Sequence, residues 1–247
     1  MPAPPAPTSI SVVLPAYNEE ECIEKAVGDC LEFLPQAFEE YAVLPVDDGS
    51  QDGTAELMRQ MAAADPHVRP VYLETNQGYG RAIASGFEAA ETELVFFTDA
   101  DNQFDIKELR DVYAELERSG ADAVFGFRVY RYDSVLRCLL SWTYNRMVRV
   151  LFGVKVRDVD CAFKLFRRRV VDALVIDTND FFVDTEMVAR TRALGFRAVE
   201  KGVRHYPRTA GSTTVRASDI PRTLRTVFRM WWRLRVRGDG KRRRAQS

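Results

Sequence analysis

The residues best equipped to do chemistry lie in one short stretch, Asp99-Ala100-Asp101-Asn102-Gln103. An apolar run, Leu94-Val95-Phe96-Phe97, leads straight into it. That run is short and rich in aromatic and β-branched residues, as a buried strand is. Side chains alternate along an extended chain, so Asp99, Asp101 and Gln103 can point the same way. Two carboxylates and an amide oxygen are hard ligands, suited to Mg²⁺ or Mn²⁺ rather than zinc. Open α/β sheets bind ligands beyond the carboxyl ends of their strands. The stretch therefore reads as a metal site that holds a diphosphate. Alone, it competes evenly with a plainer reading, because Asp and Asn also populate the turns that follow strands.

The elements around it alternate. Strands are expected at 9–14, 42–47, 69–73, 94–97 and 121–125, with helices at 20–34, 54–64, 80–90 and 105–119, the last capped by Asp105. Pro45 is awkward inside the second strand, since it removes a ladder donor and favours an edge or a bulge. This rhythm predicts an α/β fold with a mostly parallel central sheet and helices on both faces. After Arg128 the rhythm breaks. Segment 134–154 mixes apolar residues with Arg137, Arg146 and Arg149; it fits a core helix with basic edges and an interfacial amphipathic helix equally well. A strand at 161–166, a helix at 184–194 closed by Gly195 and a strand at 196–199 follow. Segment 219–236 is a basic helix with Pro221 in its first turn and Trp231-Trp232 set among arginines, an interface-anchor pattern.

A chain of 247 residues, 46% hydrophobic and 29% charged, has ample material for one large domain or a domain with an appendage. The four cysteines are scattered and form neither a disulfide framework nor a zinc site, which fits a reducing, cytoplasmic setting. The Pro- and Ala-rich start, 1–8, lacks the pattern of a signal peptide and reads as a flexible lead-in. No stretch reaches the about 18–20 apolar residues of a bilayer span. The net charge of −1 hides a polarity: from Arg204 to Ser247 there are thirteen Lys or Arg against two acids. A basic end on an acidic body points to an anionic surface. No recognition fold accompanies it, so a membrane with anionic lipids is expected rather than nucleic acid.

Four loops fall at strand ends: Leu14-Pro15-Ala16-Tyr17-Asn18-Glu19, Asp47-Asp48-Gly49-Ser50-Gln51-Asp52-Gly53-Thr54, Asn76-Gln77-Gly78-Tyr79-Gly80-Arg81, and the Asp99 stretch. Each is weak alone. In this order and spacing they resemble the family 2 glycosyltransferases of the GT-A fold, over about 9–216. The resemblance implies a nucleotide-sugar donor. Pro15, Ala16, Tyr17 and Glu19 match the family's first nucleotide-contacting loop, Asp48 its base-contacting carboxylate, and Asp99 and Asp101 its Asp-x-Asp metal motif. A Rossmann dehydrogenase would carry Gly-x-Gly-x-x-Gly straight after the first strand, where this chain has Pro15-Ala16-Tyr17-Asn18.

A hydroxyl acceptor needs a general base, and the Gln-x-x-Arg-Trp signature of many processive members is absent. A phosphate acceptor needs none, because its second pKa is about 6; it needs cations. Gly126-Phe127-Arg128, Arg137 with Ser141, Arg157-Asp158, Phe163-Lys164-Leu165-Phe166-Arg167 and Arg208 ahead of Gly211-Ser212 resemble the dolichyl-phosphate mannose synthase branch. In that branch the matching positions imply that Arg128, Arg137 and Ser141 hold the lipid phosphate. They also imply that Arg208 reaches the diphosphate from a mobile loop and that Gln103 completes the metal shell. Departures from the branch are Cys161-Ala162, Pro45 and Arg81.

The expectation is an inverting, metal-dependent transfer of a hexose to a polyprenyl phosphate at the inner membrane face, with mannose from GDP-mannose first and UDP-glucose second. The enzyme would be peripheral, with 134–154 serving the acceptor and 217–247 forming a basic helix and tail. Transfer to a glycan hydroxyl, with Asp158, Asp160 or Glu186 as base, and a catalytically silent binding module are the alternatives.

Overall fold

The computed structural model describes residues 9–129, 135–207 and 220–236, without the side chains of 135–140, 220–224 and 235–236. The expected lead-in, Arg208 with its Gly211-Ser212 loop, the basic tail and the Arg137 side chain lie outside the described residues.

Seven strands form one sheet: β1 (Ser9–Ala16), β2 (Glu40–Asp47), β3 (Val71–Tyr72), β4 (Leu94–Thr98), β5 (Ala123–Arg128), β6 (Phe163–Arg167) and β7 (Ala198–Val203). Their order is β3-β2-β1-β4-β6-β5-β7. All pair in parallel except β6, which runs antiparallel between β4 and β5. The strands are buried on both faces, and adjacent residues feed different cores. Ile10, Val12 and Phe96 face α1 (Ile23–Phe33), α2 (Thr54–Ala64) and α4 (Leu109–Ser119). Val13, Val95 and Phe97 face α3 (Tyr79–Ala89), α5 (Val135–Phe152), α7 (Val183–Ala193) and α8 (Ile220–Trp231). A period-2 alternation with apolar residues at both phases gives such a double-faced sheet.

Pro45 stands in β2, second from the edge rather than on it. The Val43 N–H donates to the His67 carbonyl at 2.8 Å, so odd-numbered residues of β2 turn their backbone toward β3. The missing N–H of Pro45 falls on that side, between the Val43–Val68 bridge and the Val46–Val71 pair. That interruption is one reason β3 spans two residues instead of the expected 69–73. The strand expected from Cys161 starts at Phe163, because the Cys161 carbonyl is taken by the Phe163 N–H and the Lys164 ammonium. A short helix, α6 (Arg168–Ala173), was not anticipated.

Segment 134–154 is a core helix on one side and an exposed apolar one on the other. In α5, Val148 and Phe152 are buried, while Trp142 and Val150 are 63% and 69% exposed. The basic helix α8 behaves the same way: Val227 and Met230 are buried, and Phe228 is exposed, as is Trp232 in the π-helical turn that follows. Among the described residues, no helix is long and apolar enough to cross a membrane.

Candidate functional site

The four loops meet at one end of the sheet, beyond the carboxyl ends of β1, β2 and β4, as a parallel sheet requires. Pro15 and Ala16 close β1 opposite Val46 and Asp47. Tyr17 follows, 40% exposed, and Asn18 takes a positive φ of 55°. The first two loops are stitched together. The Asn18 N–H donates to Ser50 Oγ at 3.0 Å, Gln51 N–H to Asn18 Oδ1 at 2.8 Å, and Glu19 N–H to Thr54 Oγ1 at 2.9 Å.

Asp48 binds the third loop rather than presenting an unengaged carboxylate. Its two oxygens accept from the N–H groups of Gln77 and Gly78 at 2.7 and 2.9 Å. Burial raises its pKa, with these two bonds acting against the rise. The neighbouring Gly49 has a φ of +70°, and a Cβ there would run into the backbone of Thr75 and Asn76. The turn residue is thus fixed both by conformation and by space.

Asp99 and Asp101 leave β4 two residues apart, Asp99 partly buried and Asp101 5% exposed. Burial, then the Asp101 charge, pushes the Asp99 carboxyl up to about 8. The Tyr79 hydroxyl donates to Asp99 Oδ1 at 2.5 Å. The loop beyond is anchored at both sides. Asn102, at φ 58°, donates from Nδ2 to the Cys22 carbonyl at 3.0 Å. Gln103 donates its N–H to Asp101 Oδ1 at 3.1 Å and its side-chain amide to the Tyr206 carbonyl at 3.0 Å. Tyr206 N–H returns a bond to the Gln103 carbonyl at 2.8 Å. Tyr206 therefore lies against the Asp loop.

This donor set fits a divalent cation. Like charges confined at a strand end raise a carboxyl pKa, and a cation between them removes that cost. Among the described residues no group of three or more His, Cys, Asp or Glu side chains forms a metal cage. An open pair of carboxylates is nevertheless what Mg²⁺ uses when phosphates and water fill its other positions. Asp99 and Asp101 would hold such an ion, which would supply charge neutralisation to a departing diphosphate.

Behind β4 sits a second cluster. Arg128, at the end of β5, grips Asp158 through Nε and Nη2 at 2.6 and 2.9 Å. Lys164, fully buried on β6, bonds Asp184 and donates to the Cys161 carbonyl at 2.5 Å. Burial, then Asp184 and Asp158, pushes Asp160 up to about 7. Glu186 is fully buried and accepts from the N–H groups of Asp177 and Thr178 and from Arg190. Ser141 lies one turn before Asn145, whose Nδ2 donates to the Ser141 carbonyl at 2.9 Å and whose Oδ1 accepts from Val159 N–H at 2.9 Å. That bond ties α5 to the Asp158–Asp160 segment.

Sequence reasoning placed Asp99, Asp101 and Gln103 in one loop, and the structure keeps them there; the pairing of Arg128 with Asp158 was not anticipated. Sequence reasoning also missed Tyr79 as a partner of Asp99, and Lys164 and Asp184 as a buried pair. Lys164 is a charged residue inside an aromatic run, Phe163-Lys164-Leu165-Phe166, and that interruption was the available signal.

The family model described as glycosyl transferase family 2 matches residues 11–175. Glycosyltransferase AglD of Haloferax volcanii is 36% identical over 94% of this chain and 38% of its own length. The undecaprenyl-phosphate 4-deoxy-4-formamido-L-arabinose transferase of Pectobacterium carotovorum is 34% identical over 83% of this chain and 62% of its own length. The chain therefore spans less than two thirds of these relatives. Among solved structures, glucosyl-3-phosphoglycerate synthase from Mycobacterium tuberculosis, with Mn²⁺ and UDP-glucose, has a TM-score of 0.64 at 24% identity over 90% of this chain and 77% of its own. The mannosyltransferase PcManGT of Pyrobaculum calidifontis, with GDP-Man and Mn²⁺, has a TM-score of 0.59 at 21% identity over 85% and 61%. At these identities the likeness is one of fold.

Proposed function

This chain belongs to glycosyl transferase family 2, and we propose that it moves a hexose from a nucleotide-diphosphate donor to a polyprenyl phosphate at a membrane surface. The observation that carries the reading is the Asp99–Asp101 pair at the one sheet end where three further loops converge. In this reading Pro15, Ala16, Tyr17 and Glu19 line the nucleotide, with the exposed Tyr17 ring under the base. Asp48 serves that site by holding the Gln77–Gly78 turn against it. Asp99 and Asp101 would hold Mg²⁺ or Mn²⁺, with the Gln103 amide oxygen as a further ligand, and the ion would supply charge neutralisation to the diphosphate.

The acceptor phosphate oxygen forms a bond to the anomeric carbon from the face opposite the diphosphate. The bond from that carbon to the diphosphate oxygen breaks, and the nucleoside diphosphate leaves with the electron pair. Configuration inverts, and no general base is needed, because the acceptor is already an anion. Arg128 presents the acceptor with the edge of its guanidinium that Asp158 does not use, and Arg137 and Ser141 serve it from α5. Arg208, outside the described residues, would contact the diphosphate, as the family resemblance implies. The undecaprenyl-phosphate relative supports the acceptor class, and the GDP-Man and UDP-glucose complexes support a sugar nucleotide as donor. Mannose from GDP-mannose is the donor we favour; that relative's formamido-arabinose marks the sugar as the point where members diverge.

The exposed apolar side chains of α5 (Trp142, Val150), of its neighbour α8 (Phe228) and of the π-helical turn that follows (Trp232) would dock the protein peripherally on anionic lipid at the inner membrane face. A second reading, transfer to a glycan hydroxyl, draws on Asp160. Its carboxyl, pushed up to about 7, is poised as a general base, whereas Asp158 and Glu186 are committed to Arg128 and Arg190.

The test is transfer of label from GDP-mannose and UDP-glucose to a polyprenyl phosphate, with and without Mg²⁺ or Mn²⁺. Metal-dependent label in the lipid fraction, reduced about 10²–10³-fold by Asp101→Ala, is the expected result. Donor binding without lipid label, and acceptance of a hydroxyl sugar abolished by Asp160→Asn, would replace it with the second reading.

A further inference from the structure

We propose that Tyr79 is a positioning residue for Asp99: its phenol fixes the orientation of a carboxylate that receives the divalent cation. This rests on the metal reading above and adds to it a residue outside the ligand set.

The geometry is specific. The Tyr79 hydroxyl donates to Asp99 Oδ1 at 2.5 Å. One carboxylate oxygen is thereby engaged from the α3 side, which fixes the plane in which the other is offered to a ligand. The phenol is itself held on several sides. Its ring packs edge-on to Phe97, centroids 6.2 Å apart, and tilted against Phe181 at 5.3 Å. Phe97 belongs to the strand that delivers Asp99, so ring and carboxylate share one rigid support.

The backbone on either side of Tyr79 leaves little freedom. Gln77 and Gly78 donate their N–H groups to the Asp48 carboxylate. Gly80 N–H donates to the Asn179 carbonyl at 3.2 Å. Gly78 holds a φ of +97°, and a Cβ at Gly78 or Gly80 would overlap the carbonyls of Asn179 and Thr178. Tyr79 is therefore the first residue of a helix whose N-terminus is clamped between Asp48, just past β2, and the 178–179 segment. A flexible surface tyrosine would meet Asp99 only part of the time. This one has no such latitude, and the Asp48 clamp transmits the position of the second loop to the fourth.

Groups that hydrogen-bond a metal ligand from behind orient it, and their loss costs about 10–100-fold in metal affinity. Phenylalanine at 79 keeps both ring contacts and removes only the donor. Leucine at Phe181, an exposed residue outside the ligand set, removes a ring contact and keeps the donor.

The experiment titrates Mn²⁺ into the full chain, following the free-ion electron paramagnetic resonance signal, alone and with saturating UDP or GDP. Nucleotide binding in EDTA and the unfolding temperature are measured alongside. Tyr79→Phe is expected to weaken Mn²⁺ binding about 10–100-fold, with metal-free nucleotide binding and cooperative unfolding retained. Phe181→Leu is expected to leave Mn²⁺ affinity close to that of the parent. Equal Mn²⁺ affinity in Tyr79→Phe and the parent would overturn the proposal while leaving the metal site in place. An equal loss in both variants would overturn it too, by assigning the effect to packing. A parent that binds no Mn²⁺ under either condition would remove the metal reading and this proposal with it.

Discussion

Carboxylates on the two sides of β4 are held by different means. On the β1–β2 side they are held by backbone. Asp47 accepts from Ser50 N–H at 3.0 Å, Asp48 from Gln77 and Gly78, and Asp52 from the N–H and hydroxyl of Thr54. For Asp52, burial raises the pKa, but the bonds from Thr54, from the Glu20 N–H and from its own N–H together outweigh it, and the carboxyl lies below its ordinary value. On the β5–β6 side they are held by buried cations: Arg128 on Asp158 and Lys164 on Asp184, with only 4% and 6% of these carboxylate side chains exposed. The contrast teaches where rigidity and charge reside. Backbone donors belong to turns, and losing one such bond costs only about 0.5–1.5 kcal/mol. Buried ion pairs stand or fall together, because a surviving partner is left charged in a dry interior.

The largest effect should therefore come from the cation side. Lys164→Met is expected to cost about 3–5 kcal/mol in denaturant unfolding, because Asp184 loses its buried partner. Pairing that change with Asp184→Leu should restore much of the loss. A single variant as stable as the parent would break the comparison.

Asp160 sharpens it through pH. Its pKa in the folded chain is raised to about 7 from an ordinary 3.8, so the folded chain holds this proton more tightly than the unfolded one. The stability it contributes is present below about 4 and is lost as pH rises through about 7. Asp160→Asn should gain up to roughly 4 kcal/mol over the parent at pH 8, measured in EDTA, and little at pH 4. A gain independent of pH would mean that burial does not act on this carboxyl.

The backbone side should respond least. Asp48→Ala removes the acceptor of two neutral backbone N–H groups and leaves no buried charge behind, at a cost of about 1 kcal/mol. A cost as large as that of Lys164→Met would erase the distinction between the two sides.

The same division separates what was legible in the sequence from what was not. The donor-side loops follow their strands directly and are written in turn residues: Asp-Gly-Ser, Gly-Tyr-Gly and Asp-x-Asp each announce a local geometry. Their alternation with amphipathic helices was enough to anticipate the sheet, its mostly parallel pairing and the α/β class. Antiparallel β6 was not anticipated as such. Its place between β4 and β5 depends on pairings such as Phe97 with Lys164, far apart in the chain. The two readings of 134–154 stayed open for a related reason. A mixed pattern does not say which helix covers it, and α5 buries Val148 while leaving Trp142 outside.

The sequence by itself determined the fold class, the strand that carries Asp99 and Asp101, and the loops that gather around them. These depend on local chain stiffness and apolar periodicity, which are properties of neighbouring residues. Only the tertiary structure decided that Asp48 clamps the third loop, that Tyr79 reaches Asp99, and that Lys164 and Arg128 neutralise Asp184 and Asp158. Those pairings span 20 to 30 residues. Which charge meets which is set by the order in which strands enter the sheet, and hydrophobic patterning does not encode that order.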